Sequence, residues 1–145
     1  MTSIRLLLGK KGSDVWSTTP ETSVYDALLL LAEKNVGALL VLQEGELVGI
    51  ISERDYARKV ALRDKVSVEV PVREIMTEKV ITISPQNTVE EALALMTDKH
   101  IRHLPVVEED NLVGVISIGD LVKSIIAKQA VMINQLENYI SGTQF

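Results

Sequence analysis

Two short elements of the sequence, Ser52-x-x-Asp55 and Ser117-x-x-Asp120, carry residue types that can bind a polar ligand. Each follows an apolar run that is typical of a strand and opens a segment with helical spacing. There, serine can cap the helix while the acidic residue completes a capping box. Free N–H groups at a helix start also favour phosphate, and a carboxylate can accept two hydroxyl groups. From these residues alone, both interpretations stay open.

The two elements lie in copies of one repeated pattern. Shifted by 65 residues, positions 20–56 align with 85–121 without a gap, and 15 of the 37 pairs are identical. In each copy, apolar residues at helical spacing follow a polar cluster, and two short β-branched runs separated by a turn come next. Because the second run leads into Ser-x-x-Asp, the pattern predicts a β-α-β-β-α unit that occurs twice.

The repeat also predicts the organisation of the chain, of class α/β (α+β). We expect leading strands at Val15–Thr18 and Val80–Ile83. A unit of about 60 residues buries little surface alone, so the two copies should pack about a pseudo-two-fold axis and form two ligand crevices. The expected parts are a first repeat, a connector, a second repeat and a C-terminal helical extension, at 1–62, 63–71, 72–127 and 128–145.

Composition excludes several classes of protein. A content of 46% apolar and 24% charged residues is typical of a globular protein. The net charge of −5, with one Trp and one Phe, opposes nucleic-acid binding, which needs clustered basic residues or aromatic platforms. No apolar run approaches the roughly 18 residues of a membrane span, and the N-terminal run is too short for a secretory signal. We therefore expect a cytoplasmic protein without a membrane partner.

Enzymatic and metal sites are not predicted. The chain has no cysteine, and no phosphate-loop, metalloprotease or nucleophile-elbow motif occurs. Ser117, Asp120 and His103 supply the residue types of a triad, but the first two are already explained as a helix cap. His100 and His103 could form half a metal site, yet no further His or Cys completes it.

The order V-x-x-A-x-x-x-(L/M), (L/P)-V-(L/V) and LVG(I/V)IS-x-x-D, found twice, resembles a tandem pair of cystathionine-beta-synthase-type (CBS) domains. The stretch VREIMTEKVITISP at 72–85 is also similar to the lead-in of this family. The resemblance covers about residues 1–127 and implies a stand-alone regulatory pair. Such pairs bind adenosine nucleotides between the repeats, and here we expect AMP before ADP, ATP, NAD or S-adenosylmethionine.

The resemblance also assigns roles to residues. It implies that Asp55 and Asp120 hold ribose hydroxyls and that Ser52 and Ser117 face the phosphate. Backbone of the leading strand and of the HLPVV strand would frame the adenine. The residues that this last expectation concerns are Ile83, His103 and Pro105.

Basic residues near the two elements are candidates for further ligand contacts. Arg54 lies inside the first element, where the second has Gly119, and Arg58 and Lys123 are equivalent one helical turn later. A solvated helix face is the alternative for these residues. The second copy also has Arg102 and His103 where the first has Gly-Ala, so we expect unequal sites. These two are expected to contact adenine or phosphate, or else to serve a surface or interface.

The C-terminal stretch Leu121–Ser141 continues helical spacing beyond the second copy, and Gly142 is a suitable helix stop. Its apolar stripe either packs on its own domain or covers a partner subunit. The residues of the stripe are Ile126, Ile133 and Ile140, spaced by seven, with Met132, Leu136 and Tyr139 beside them.

Taken with the repeat, the resemblance implies a homodimeric regulatory module that senses energy or redox state through adenosine nucleotides and signals to an unidentified regulated protein. Two alternatives stay open. One is a dimeric interaction or scaffold protein whose crevices are filled by side chains. The other is a small enzyme that uses a nucleotide.

Overall fold

The computed structural model describes residues 2–63 and 66–142. It confirms the mixed α/β class, the two repeats and the C-terminal helix. Two short 3-10 helices, Ala61–Arg63 and Val72–Glu74, complete the main elements. In chain order these are α1 (Ile4–Lys11), β1 (Ser17–Thr18), α2 (Val24–Lys34), β2 (Ala38–Gln43), β3 (Glu46–Ser52), α3 (Glu53–Lys59), α4 (Val89–Lys99), β4 (His103–Glu108), β5 (Asn111–Ser117) and α5 (Ile118–Gly142).

Local signals explain where the central helix of each repeat begins and ends. Ser23 caps α2 and Thr88 caps α4, each accepting a backbone N–H from the first turn. Asn35 and His100 end the two helices in the left-handed conformation, with φ of 54° and 55°. His100, considered above as half of a metal site, is therefore a helix C-cap.

Each repeat contains an antiparallel hairpin with a two-residue turn. Glu44 and Gly45 connect β2 to β3, and Glu109 and Asp110 connect β4 to β5. All four residues have positive φ, as a type I′ turn requires, because this turn matches the twist of the flanking strands. The hairpins place Ser52 and Ser117 at equivalent strand ends.

The leading strands are shorter than predicted. The first consists of Ser17–Thr18, which pairs in parallel with β2. The second is wrong over residues 80–82, because Val80 donates its N–H to Glu78 O in a turn. Only Ile83 forms a bridge, in parallel with Val106 of β4.

The chain divides into two compact units, with breaks between Ser13 and Asp14 and between Thr82 and Ile83. The continuous unit spans Asp14–Thr82. The discontinuous unit combines α1 with the chain that follows Thr82. The pseudo-two-fold packing of the repeats stays a prediction.

The segment that precedes each repeat, called its lead-in here, packs in the unit that contains the other repeat. The lead-in of the first repeat is α1, and that of the second begins at Val72. Val72 and Ile75, from the stretch before the second copy, belong to the core of the continuous unit. In the discontinuous unit α1 takes the equivalent place, and Ile4, Leu7 and Leu8 are buried. The remaining core residues of the continuous unit are Val24, Ala27, Leu31, Leu39, Val41, Ile51, Val60 and Val70.

Each hairpin has a glycine where the lead-in of the other repeat packs against it, and the missing side chain allows this close approach. A Cβ atom at Gly49 would lie 2.6 Å from Met76 Sδ and 3.1 Å from the backbone oxygen of Thr77. At Gly114 it would lie 2.9 Å from Leu8 Cδ2. Since a side-chain end moves more easily than backbone, the constraint is stronger at Gly49.

Gly49→Ala is therefore expected to destabilise the protein by about 1–3 kcal/mol through overpacking. Denaturant unfolding measures this loss. Gly9→Ala is the matched control, because nothing lies within 4 Å of its Cβ position in α1. It should be neutral or stabilise by roughly 0.5–1 kcal/mol, so equal losses in both variants would contradict the steric explanation.

Candidate functional site

In the continuous unit, Ser52 and Asp55 form a complete capping box at the start of α3. Ser52 donates its N–H to Asp55 Oδ2 at 3.0 Å, and the Asp55 N–H is 3.3 Å from Ser52 Oγ. The other carboxylate oxygen, Oδ1, lies 3.1 Å from Lys59 Nζ. Lys59 Nζ also donates to the carbonyl of Ile75 at 2.9 Å, which ties the lead-in to the site.

In the discontinuous unit, Ser117 and Asp120 repeat this geometry at the start of α5. Ser117 donates its N–H to Asp120 Oδ2 at 2.8 Å, and the Asp120 N–H donates to Ser117 Oγ at 3.2 Å. The lysine now comes from the end of α1: Lys11 Nζ lies 2.6 Å from Asp120 Oδ2 and also donates to the carbonyl of Val115. Each carboxylate is therefore paired with one lysine, and the two lysines come from different places in the sequence.

Hydrogen bonds and the charge of Lys11 favour the ionised form of Asp120, and burial is the main cause that favours the neutral form of His103. Burial raises the pKa of Asp120, but hydrogen bonds from Lys11 and Ser117 and the charge of Lys11 outweigh it, so the pKa lies below its usual value. Burial, then the positive charges of Lys11 and Arg102, lower the pKa of His103, against an opposing effect of Asp120. At neutral pH the site therefore offers a carboxylate acceptor beside an uncharged imidazole.

Backbone contacts fix the start of each site helix against the hairpin. Arg102 O accepts the N–H of Ile118 at 2.9 Å, as Gly37 O accepts that of Glu53. His103 is also the ladder partner of Ser117. The predicted basic residues of the second copy therefore adjoin its Ser-x-x-Asp element.

The two backbone segments that were predicted to frame adenine pair with each other, and their contact with a ligand stays a prediction. Ile83 donates its N–H to Pro105 O at 3.0 Å and accepts the N–H of Val107 at 2.9 Å. Both side chains, Ile83 and Pro105, are buried. Since the N–H of Ile83 is already used, this residue can frame a ligand by shape rather than by donating a hydrogen bond.

The remaining predicted residues lie on exposed helix surfaces. Arg54 and Arg58 belong to α3, and Lys123 lies near the start of α5. Their contact with a ligand stays a prediction.

Two site residues, Lys59 and Lys11, were not predicted from the sequence. Lys59 has a local signal, because a lysine four residues after an aspartate on a helix forms an ion pair readily. Lys11 has none, since it lies 109 positions before Asp120.

A third Ser-x-x-Asp element, Ser23 to Asp26, serves as a helix cap and provides a comparison for the two candidate sites. Ser23 begins α2 and accepts the N–H of Asp26 at 3.1 Å. Asp26 is exposed, whereas the side chains of Asp55 and Asp120 are only 14% and 22% exposed. The two elements that follow hairpins therefore differ from an ordinary helix start by being recessed and by holding a lysine.

The lowered pKa of His103 predicts a loss of stability in mild acid. The unfolded chain binds the proton more readily, so this contribution to stability is complete above pH 6.5 and falls as the pH drops through the folded pKa. The slope for one proton is at most about 1.4 kcal/mol per pH unit. Unfolding free energies measured against pH should show a flatter slope below pH 6.5 in His103→Gln, and an unchanged slope would contradict the assignment.

Over residues 2–63 and 66–142, the structure contains no helix that is both long enough and apolar enough to cross a bilayer.

Comparisons with known proteins agree with this architecture. The CBS domain family matches residues 12–62 and 72–127. The CBS domain-containing protein CBSX3, mitochondrial, of Arabidopsis thaliana is 43% identical over 136 residues, and the match covers 90% of this chain and 66% of that protein. The CBS domain-containing protein YhcV of Bacillus subtilis is 30% identical over 131 residues, and the match covers 90% of this chain and 86% of that protein.

Solved structures are similar over most of the chain. A candidate signal-transduction protein with CBS domains from Burkholderia ambifaria is 46% identical, with a TM-score of 0.86, and the match covers 88% of this chain and 96% of the other. A hexameric CBS-CP12 protein from bloom-forming cyanobacteria is 30% identical, with a TM-score of 0.71, covering 76% of this chain and 66% of the other.

Proposed function

Because the chain belongs to the CBS-domain family, we propose that it is a regulatory module that binds an adenosine nucleotide at its Ser-x-x-Asp elements and signals occupancy to a partner protein. AMP is the first candidate, and ADP, ATP, NAD and S-adenosylmethionine are the others. The proposed assembly is a homodimer.

One observation supports this proposal above the rest: the same recessed carboxylate recurs in both units. Asp55 and Asp120 are each held by the backbone N–H of a serine and each pair with a lysine. Such a carboxylate can accept two vicinal hydroxyl groups, as a ribose presents them. The lysine beside it can pair with a phosphate, so one site provides for both parts of a nucleotide.

The lysines suggest how occupancy could be signalled. Lys11 joins α1 to Asp120 and Val115, and Lys59 joins α3 to the lead-in at Ile75. A phosphate that attracts either ammonium group changes the contact between a lead-in and the repeat on which it packs. A ligand that binds one arrangement better than another shifts the population toward it, and the partner protein responds to that shift.

Thermal unfolding of the full chain against AMP, ADP, ATP, NAD and S-adenosylmethionine tests the proposal, followed by calorimetric titration of any ligand that stabilises. At a hundredfold excess over Kd a ligand adds roughly 2.7 kcal/mol, which raises Tm by several degrees for a chain of this size. Unchanged curves with all five, in protein freed of bound nucleotide, would contradict it. Chromatography of the nucleotide after incubation distinguishes binding from turnover, because the enzyme alternative predicts a new product.

A dimeric scaffold that binds no ligand is the second candidate. It is favoured by the many exposed apolar side chains of α5. In that case Asp55→Asn and Asp120→Asn would change stability alone.

A further inference from the structure

We propose that α5, from Val122 to Ile140, pairs with the same segment of a second copy as a parallel two-stranded coiled coil. The inference rests on the homodimer of the proposed function and does not depend on nucleotide binding. Its basis is a heptad pattern on an exposed helix face.

Part of the stripe, together with Val122 and Gln129, advances along the sequence by four and three residues in alternation from Val122 to Ile140. Ile126, Ile133 and Ile140 occupy the a positions of a heptad, and Val122, Gln129 and Leu136 occupy the d positions. The apolar members beyond Val122 are 56–61% exposed. A repeat of seven keeps one seam facing a partner helix, whereas an ordinary surface helix drifts from it.

This stripe is not the face by which α5 packs on its own unit. That face begins at Leu121, which is fully buried, and includes the half-buried Ser124 and Ile125. It ends near Lys128, whose Nζ lies 4.0 Å from Glu90 of α4. The stripe from Val122 to Ile140 lies on the adjacent side of the helix, because successive residues are about 100° apart.

The residue types indicate a second copy, in parallel orientation. Isoleucine at all three a positions, with leucine at one of the d positions, favours two parallel strands. Gln129 is the single polar residue among the six, and in the parallel arrangement its amide faces that of its own copy. Glu137 is the only charged residue from Gln129 to Ser141. In the parallel arrangement it lies opposite the partner subunit's Met132, so two identical helices meet without like-charge repulsion. A different helix would be selected by charges flanking the seam, which this segment lacks.

Size-exclusion chromatography with light scattering, and sedimentation equilibrium of the full chain, test the interface with matched variants. Ile133→Glu places a charge at an a position, whereas Val131→Glu alters an outer position of the same helix with the same 56% exposure. The wild type and Val131→Glu should be dimers. Ile133→Glu should raise the dimer Kd at least roughly 100-fold, because two unpaired charges enter the seam. A monomeric wild type, or equal behaviour of the two variants, would overturn the proposal.

The relative orientation of the two helices is tested with single-cysteine variants. The chain has no native cysteine, so any disulfide must form at the introduced position. In a parallel coil Leu136→Cys meets its own copy and should form a disulfide dimer on mild oxidation. Val131→Cys faces outward and should stay monomeric on a non-reducing gel. Cross-linking in both variants, or in neither, would overturn the parallel arrangement.

A nucleotide titration of Ile133→Glu separates this inference from the proposed function. Retained stabilisation by nucleotide in a monomeric variant supports the interface and leaves the sensor proposal unaffected. If the wild type binds nucleotide but has the mass of a monomer, the interface and the proposed homodimer fail, whereas the proposal of nucleotide binding stands.

Discussion

Asp120→Asn is expected to weaken binding of the nucleotide at this site by roughly 100-fold. The amide keeps the size of the side chain but loses the negative charge that would accept the ribose hydroxyls, and charge-assisted hydrogen bonds are about twice as strong as neutral ones. Calorimetric titration measures the change. Asp55→Asn makes the same test in the continuous unit and shows whether one or both elements bind.

Asp26→Asn is the matched control for these variants. It lies three residues after a capping serine, as Asp55 and Asp120 do, but it is exposed and does not follow a hairpin. Nucleotide affinity should be unchanged in this variant. If all three variants lose affinity equally, or none does, the role of the recessed carboxylates is refuted.

Ile4→Ala is expected to destabilise the protein by about 2–5 kcal/mol. Ile4 is fully buried in α1, and its N–H donates to Asn87 O at 2.8 Å, so truncation leaves a cavity between α1 and the second repeat. Urea unfolding measures the loss.

Leu6→Ala provides the comparison, because Leu6 lies on the same helix and is 52% exposed. Its replacement should cost well under half as much as that of Ile4. Equal effects would mean that α1 is not packed as described.

The central elements of both repeats could be predicted because their signals are local. Helical spacing after Ser23 and Thr88, β-branched runs and short polar turns all lie within about a dozen residues of what they determine. The same holds for the capping boxes of Ser52 and Ser117. Where these signals occur twice, each copy supports the interpretation of the other.

The exchange of lead-ins could not be predicted, because its determinants are distant. Ile4, Leu7 and Leu8 correspond to Val72, Ile75 and Met76 at an offset of 68 residues, whereas the repeat itself is offset by 65. An ungapped comparison misses the match. The ion pair of Lys11 depends on the same exchange, so this part of the candidate site becomes visible only in the folded chain.

The discontinuous unit also affects how the protein is made. On the ribosome the continuous unit is complete once Thr82 has emerged, whereas Lys11 must wait for the 104 residues that separate it from Val115 in the chain. At typical translation rates this delay is roughly 5–20 s. Contacts of α1 with Pro85 and Asn87 become possible earlier, but Leu8 and Lys11 reach their places against the second hairpin only after that delay, so α1 is packed in two steps.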